Sequence, residues 1–236
     1  MQSPYGLATE CLDCPLRSSS FFCALSPAAV AALHAIKTPA IFPAAAVLFV
    51  EGQVPRGVYL LCQGEAKVSV TSREGKTLIL RIAKPGEVLG IQAVLAGTIY
   101  RNTVETTQPS RLSFVARQDF LRFLNDHRDA CLQVSRHMSR DCQDAYDVIR
   151  SIGLSRSVSA RIAKFLLAAA TGGQVSRGVV RARLELTHED IAQLMGTSRE
   201  SVTRTLSEWR KKDIADLSHS TLTIHDRPAL KRLGAL

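Results

Sequence analysis

The sequence predicts an α+β fold: an N-terminal β-domain with many short strands, then a long helix, then a C-terminal helix-turn-helix lobe. Three observations predict it. Short runs rich in Val, Ile, Leu, Phe and Tyr alternate with Gly and Pro between Pro39 and Val115. No Gly or Pro occurs from Arg117 to Ile152. Two short amphipathic segments then flank Gly196.

The N-terminal region divides into a leader and a β-domain. Residues 1–25 carry cysteines without clear periodicity, and Ser26-Pro27 is typical of a helix start. Strand-like runs then recur about every 8–12 residues, which favours a sandwich or jelly roll. The run KVSVTSREGKTLIL alternates on both sides of Glu74-Gly75, so it predicts a hairpin. We assign residues 26–116 to this β-roll.

Residues 117–152 are predicted to form one long helix. Its apolar or small residues recur at spacings close to a heptad seam, and the opposite face is charged. We therefore predict a homodimer interface. The predicted interface residues are Val134, Met138, Cys142, Ala145 and Ile149. The alternative is that this stripe packs on the chain's own β-domain.

Residues 153–236 contain the helix-turn-helix. Thr187 is predicted to cap its first helix, with Asp190 completing a capping box. Gly196 follows where the turn needs a positive φ. A second helix then begins after Thr197-Ser198. Its predicted buried face consists of Val202, Leu206 and Trp209.

The second helix presents a polar face at its start. Arg199 and Thr203 are four residues apart, as are Glu200 and Arg204, so the four share a side away from the buried face. Arginine pairs with guanine O6 and N7, and glutamate accepts from cytosine N4. The alternative is a solvated face with an i,i+4 Glu–Arg pair.

The charge distribution agrees with a polyanionic partner. Of the net charge of +9, residues 151–236 hold 14 Lys and Arg against eight Asp and Glu, and residues 1–150 hold 16 against 13. Most of the excess therefore lies in the C-terminal lobe, and a basic lobe attracts phosphates by releasing counterions.

The segment LTHEDIAQLMGTSRESVTRTLSEW resembles the helix-turn-helix of the CRP/FNR family of bacterial transcription regulators, and the resemblance extends over about residues 20–230. It implies a cyclic-nucleotide-binding-like β-roll, a dimerisation helix and a winged helix-turn-helix. The SRESVTR form implies a TGTGA-like inverted repeat as the target, and IADLSHSTLTIHD would be the wing. The implied DNA-contacting residues are Arg199, Glu200, Arg204, Thr203, Ser198, Thr187 and His188.

The resemblance also places the family's phosphate-binding cassette at KPGEVLGIQAVLAGTIYRNTVE. Its candidate effector residues are Gly86, Glu87, Arg101 and Asn102. Ile91 stands where the family has a ribose-binding glutamate, and Asn102 where it has a small hydroxyl residue. Cyclic nucleotide binding is therefore not expected.

The leader CLDCPLRSSSFFC resembles the cluster-binding leader of the FNR subtype. Cys11, Cys14 and Cys23 are candidate ligands, with Cys62 as a substitute for the fourth cysteine that an iron–sulfur cluster needs. An iron–sulfur cluster, a zinc or thiol redox sensor, and no metal at all remain open, so the effector is unknown.

These features predict a homodimeric regulator of transcription that binds double-stranded DNA, contacts RNA polymerase and responds to an effector or redox signal. The alternative is an effector-binding regulatory module without specific DNA recognition. No catalytic constellation occurs, so an enzyme is not expected. The chain has neither an apolar run of membrane-spanning length nor a secretory signal, which predicts a cytoplasmic location without membrane association.

Overall fold

The computed structural model describes Cys11, Cys14 and residues 25–154, 157–176 and 178–235. The chain divides into two compact units. The first contains the chain up to Val70 and Arg81–Asp144, and the second contains Thr71–Leu80 and the chain from Ala145 onward. None of the described helices is both long and apolar enough to cross a bilayer.

The first unit contains most of the β-roll, since only Thr71–Leu80, around the turn at Gly75, is assigned to the second unit. Its helices are α1 (Pro27–Ile36), α2 (Ile91–Ala96), α3 (Arg117–Asp126) and α4 (Arg128–Leu154), of which α4 continues into the second unit. The strands of the roll are β1 (Lys37–Phe42), β2 (Val47–Phe49), β3 (Gly57–Gln63), β4 (Ala66–Thr71), β5 (Thr77–Ala83), β6 (Val88–Leu89), β7 (Thr103–Thr106) and β8 (Ser110–Ala116).

Two four-stranded sheets form this roll, in the orders β1-β8-β3-β6 and β2-β7-β4-β5. The pairs β1/β8, β3/β8 and β4/β7 are antiparallel. The predicted hairpin is confirmed, because β4 and β5 are neighbours and the Gly75 N–H closes their turn by donating to the Ser72 carbonyl at 3.0 Å.

Alternation along β3 separates two cores. Val58 and Leu60 face a cluster built with α1, α3 and the start of α4. Leu61 faces a second core that draws residues from both sheets, and Tyr59 packs against this second core. This period of two is expected for a strand covered on both faces, and it explains why the roll binds its helices on one side and its second sheet on the other.

The region predicted as one long helix contains two. The chain is extended at His127 (φ −126°, ψ 98°), between α3 and α4. No Gly or Pro marks this break. It lies where Phe120 and Phe123 of α3 are buried in the core, so packing against the roll sets the break.

The predicted dimer stripe is divided between two environments. Val134 is 7% exposed and Met138 packs against the same core of the first unit. At these two positions the structure shows the alternative, packing on the chain's own β-domain. Farther along α4, Cys142, Ala145 and Ile149 are exposed.

The second unit contains the helix-turn-helix. Its elements are α5 (Val158–Ala169), β9 (Gln174–Ser176), β10 (Val179–Arg183), α6 (His188–Met195), α7 (Arg199–Lys211), β11 (Ala215–Ser218), β12 (Thr221–Ile224) and α8 (Arg227–Gly234). The sheet order is β11-β12-β10-β9. The predicted wing is the hairpin of β11 and β12, whose turn residues His219 and Ser220 both have positive φ. The fold class predicted from the sequence is confirmed.

Candidate nucleic-acid interface

The first helix of the motif, α6, begins with the predicted capping box. The Thr187 hydroxyl accepts from the Asp190 N–H at 3.0 Å, and the Asp190 carboxylate accepts from the Thr187 N–H at 2.9 Å. Two otherwise unpaired backbone donors are thereby satisfied. Because the Thr187 side chain is used in this way, its first role in the structure is to fix the start of α6.

The turn after α6 has the geometry that the sequence predicts. Gly196 is in the left-handed region at φ +62°, and its N–H donates to the last turn of α6. Ser198 then caps α7, because its hydroxyl accepts from the Ser201 N–H at 3.3 Å. Gly196 and the Ser198 cap therefore set the direction in which α7 leaves the turn.

The buried face of α7 is the predicted one. Val202 is fully buried, and Leu206 and Trp209 are each 4% exposed. They pack in the single core of the second unit, together with Ile191 of α6. Burial of this face fixes the rotation of α7 about its own axis, so the residues on the opposite side are held outward.

The outward residues are the ones predicted to contact bases. Arg199, Glu200, Thr203 and Arg204 are all exposed. Among the residues that the structure describes, the three charged ones form no ion pair, so the alternative Glu–Arg pair is not made. Two guanidinium groups and one carboxylate thus remain available to an external partner.

Glu200 carries a stabilised negative charge. Its own backbone N–H, the Ser198 hydroxyl and the Arg199 guanidinium together hold the pKa of its carboxyl below the usual value. An ionised carboxylate accepts hydrogen bonds and donates none. Glu200 therefore suits a donor such as the amino group of cytosine.

The other two predicted contacts are linked to each other across the motif. His188 Nδ1 at the start of α6 lies 3.0 Å from the Thr203 hydroxyl of α7. This hydrogen bond joins the two helices, a positioning role that the sequence pattern does not show.

A second polar surface of this unit lies beside the wing turn. A groove of about 830 Å³ is lined by Gly172, Gly173, Arg181, Arg183 and His219, among others. Both arginines are exposed, and Arg183 is paired with Glu185. Arg181 is not among the residues predicted from the sequence to contact DNA. The alternation in VVRARLEL, which places both arginines on one strand face, was the available signal.

In the first unit, Glu87 of the predicted effector cassette is already engaged. Its carboxylate is paired with Arg81 and accepts from the Lys84 N–H at 2.8 Å. Arg81 also contacts Asp141 of α4 at 3.3 Å, and Gln92 donates to the same aspartate at 3.1 Å. Glu87 therefore belongs to a network that joins the roll to α4.

The other candidate effector residues of the cassette lie in a turn or near the surface. The Gly86 N–H joins the turn before β6 to β3 by donating to the Leu61 carbonyl at 2.6 Å. Arg101 is exposed, and Asn102 is half-buried. Ile91 is 1% exposed within the core, so the position of the family's ribose-binding glutamate is filled by an apolar side chain.

Two of the predicted metal ligands, Cys11 and Cys62, lie near the same lysine, Lys37. The Lys37 ammonium donates to the Cys11 sulfur at 2.8 Å. Burial raises the pKa of the Cys62 thiol, and the nearby Ser113 hydroxyl and Lys37 ammonium oppose that rise. Cys14 is half-buried, and Cys23 lies outside the described residues. Across the described ranges, no three His, Cys, Asp or Glu side chains are grouped to hold a metal.

Comparison with protein families matches one model to each unit. Residues 40–127 match the cyclic nucleotide-binding domain, and residues 160–233 match the Crp-like helix-turn-helix domain.

Characterised relatives match along most of the chain. The CRP-like cAMP-activated global transcriptional regulator of Mycobacterium tuberculosis is 26% identical over 94% of this chain and 99% of its own length. The nitrogen fixation regulation protein FixK of Azorhizobium caulinodans is 29% identical over 89% of this chain and 83% of its own.

Solved structures share the fold. FixK2 from Bradyrhizobium japonicum superposes with a TM-score of 0.72 at 20% identity, over 85% of this chain and 98% of that one. The c-di-GMP responsive regulator CLP of Xanthomonas campestris has a TM-score of 0.74 at 15% identity, over 84% and 98%. With both units matched and the relatives aligned along the chain, this protein belongs to the CRP/FNR family of DNA-binding transcription regulators, which are not enzymes.

Proposed function

We propose that this protein is a homodimeric regulator that reads a TGTGA-like inverted repeat, with Arg199, Glu200 and Arg204 as the base-reading residues. The observation that carries this proposal is the exposure of these three side chains, without ion pairs, at the start of α7. The first residues of a recognition helix point into the major groove. Each well-formed side-chain contact to a base pair contributes about 1–3 kcal/mol of discrimination.

The remaining predicted residues take supporting roles in this proposal. Thr187 and Ser198 hold the starts of α6 and α7, and the bond between His188 and Thr203 holds the two helices together. Exposed Arg181 and the wing turn are suited to phosphate contacts, which position a protein on DNA without reading its sequence.

We further propose that a signal received by the first unit controls DNA binding. The support is that α4 contributes residues to both compact units and is bonded to the roll through Asp141. A contact that forms in only one of two conformational states can bias the equilibrium between them. The M. tuberculosis relative is cAMP-activated by name, but buried Ile91 disfavours the same ligand here. A metal or thiol signal at Cys11, Cys14, Cys23 and Cys62, and a contact with RNA polymerase, stay predictions.

Fluorescence anisotropy tests the reading residues. The wild-type protein is titrated into a labelled duplex whose two TGTGA half-sites lie about 10 bp apart, centre to centre, and into a scrambled duplex at the same salt. We expect a strong preference for the repeat. Glu200→Ala should reduce discrimination at one base pair per half-site about tenfold and leave binding to the scrambled duplex unchanged.

Glu208→Ala is the matched control, because Glu208 is also exposed on α7 but lies in its C-terminal half. It should leave discrimination intact. Equal affinity of the wild-type protein for both duplexes would reject the proposed operator and favour a regulatory module without specific DNA recognition.

A further inference from the structure

The first unit contains a cavity that the proposed DNA-binding function does not use. It has a volume of about 430 Å³ and opens where β2, β3 and β8 meet the loop after β2. Small-molecule sites occupy about 300–1,000 Å³. Tyr100 of the predicted cassette segment lines this cavity, whereas the four candidate effector residues Gly86, Glu87, Arg101 and Asn102 are not among its lining residues.

Four aromatic rings form its walls. Phe49 and Tyr100 stack with their ring centroids 3.9 Å apart, and Tyr59 and Phe114 lie 5.1 Å apart. The Tyr100 hydroxyl donates to the Gly57 carbonyl at 2.7 Å, which fixes that ring. Flat, rigid walls of this kind favour a flat guest, because aromatic rings gain energy from offset-stacked and edge-to-face contacts.

One positive charge lies at the rim. Arg56 lines the cavity and its residue is exposed. Arg56 and Tyr59 line the same cavity, where burial raises the pKa of the Tyr59 hydroxyl and the positive charge of Arg56 opposes that rise. Within the described ranges, no carboxylate is paired with Arg56. An unpaired guanidinium beside an apolar cavity suits a carboxylate, which it can bind through two parallel hydrogen bonds.

We propose that this cavity binds a small aromatic monocarboxylate, with its ring between the aromatic walls and its carboxylate on Arg56. A single guanidinium balances a single negative charge, which favours a monoanion over a phosphate ester of higher charge. Gln53 also lines the cavity and can offer a polar contact to the guest. The proposal names a ligand class for the first unit, so it rests on the signal-dependent control proposed above and deepens it.

Isothermal titration calorimetry of the full-length protein tests the proposal with indole-3-acetate as the probe. We expect one site per chain and at least tenfold weaker binding of the neutral isostere indole-3-acetamide. Arg56→Gln should abolish the difference between acid and amide. Arg101→Gln, which removes another exposed arginine of the same unit, should preserve it.

A second variant tests the location independently of charge. Val54 is 73% exposed at the cavity rim, so Val54→Trp is tolerated by the fold and places a ring over the opening. It should weaken indole-3-acetate at least tenfold without lowering Tm. The proposal is overturned if indole-3-acetate does not bind at millimolar concentration, or if the acid and the amide bind alike. It is also overturned if decanoate, a carboxylate without a ring, binds as tightly as indole-3-acetate, or if Val54→Trp has no effect. Operator binding by the Arg56→Gln variant, measured separately, reports on the DNA-binding proposal alone.

Discussion

At the scale of single residues, the position of Glu200 at the start of a helix stabilises the ionised form of its side chain. It lies in the first turn of α7, where free backbone N–H groups favour an anion. Its own N–H and the Ser198 hydroxyl lower the pKa of the carboxyl, although the side chain is open to solvent. The residue that we propose as a base reader is therefore already ionised in the absence of DNA.

This charge state predicts how base reading depends on pH. A carboxyl with a depressed pKa is ionised above that value and becomes protonated only as the pH falls through it. Discrimination at the base pair read by Glu200 should therefore stay constant between about pH 5.5 and 8. The measurement is the ratio of affinities for the matched and singly substituted repeat at each pH, with Glu200→Gln as control. A ratio that falls as the pH drops from 7 to 5.5 would contradict the lowered pKa.

At the scale of elements, Gly196 joins the two helices of the reading motif. Its φ of +62° lies in the left-handed region, which an added Cβ disfavours. Space is not the obstacle, since a Cβ there would meet its nearest neighbour at an ordinary 3.5 Å. The penalty for a larger residue therefore arises from the backbone.

Gly196→Ala should lower the free energy of unfolding of the second unit by about 1–2 kcal/mol. Urea unfolding followed by the fluorescence of Trp209 measures this, because Trp209 is the protein's one tryptophan and is buried in that unit. Gly153→Ala is the control. Gly153 lies in α4 without a positive φ or a close neighbour, so stability there should stay the same or rise by up to ~1 kcal/mol. An equal loss of unfolding free energy in both variants would contradict the positive φ of Gly196 as the cause.

The attachment of α4 to the roll depends on a partly buried polar network. Asp141 is 13% exposed and accepts from Arg81, itself 17% exposed, and from Gln92. The buried imidazole of His137 adds a bond to the Val88 carbonyl at 3.0 Å. Removing the Asp141 charge leaves the partly buried Arg81 with one fewer carboxylate partner, although its pair with Glu87 remains.

Asp141→Asn should therefore destabilise the first unit by about 1–3 kcal/mol. Hydrogen exchange in β6 and α2, which carry the Val88 and Gln92 contacts, measures the loss as faster exchange. Asp144→Asn, an exposed position on the same helix, is the matched control. Unchanged exchange in the Asp141 variant would show that the network contributes no stability.

At the scale of the whole molecule, the second half of α4 bears apolar side chains that are largely exposed in the single chain. Ile149 is 66% exposed and Leu154 70%. An apolar stripe on an exposed helix is typical of a coiled-coil interface. It supports the proposed homodimer, whose seam would then begin after Met138, since Met138 and Val134 are used inside the chain's own core.

Ile149→Asp should convert the dimer to a monomer in sedimentation velocity at micromolar concentration. Affinity for the inverted repeat should fall more than tenfold, because the two half-sites are then bound independently. Asp147→Lys lies on the opposite side of the helix from the seam and should remain dimeric. A wild-type protein that sediments as a monomer would contradict the proposed assembly.

The sequence by itself determined the local elements and the reading residues. Periodicity alone placed Val202, Leu206 and Trp209 on one helix face, and this necessarily placed Arg199, Glu200 and Arg204 on the other. The capping box at Thr187 and the positive φ at Gly196 were equally predictable. Each depends on residues only a few positions apart, so local stereochemistry suffices.

Only the tertiary structure decided the contacts between distant segments. The break at His127 and the inward packing of Val134 arise because the roll must be covered, and no nearby residue signals either. Arg81 contacts Asp141, and Arg56 lines the same cavity as Tyr100, for the same reason. Helical periodicity shows which side of α4 is apolar, whereas the shape of the surface packed against it determines how much of that side is free for a partner.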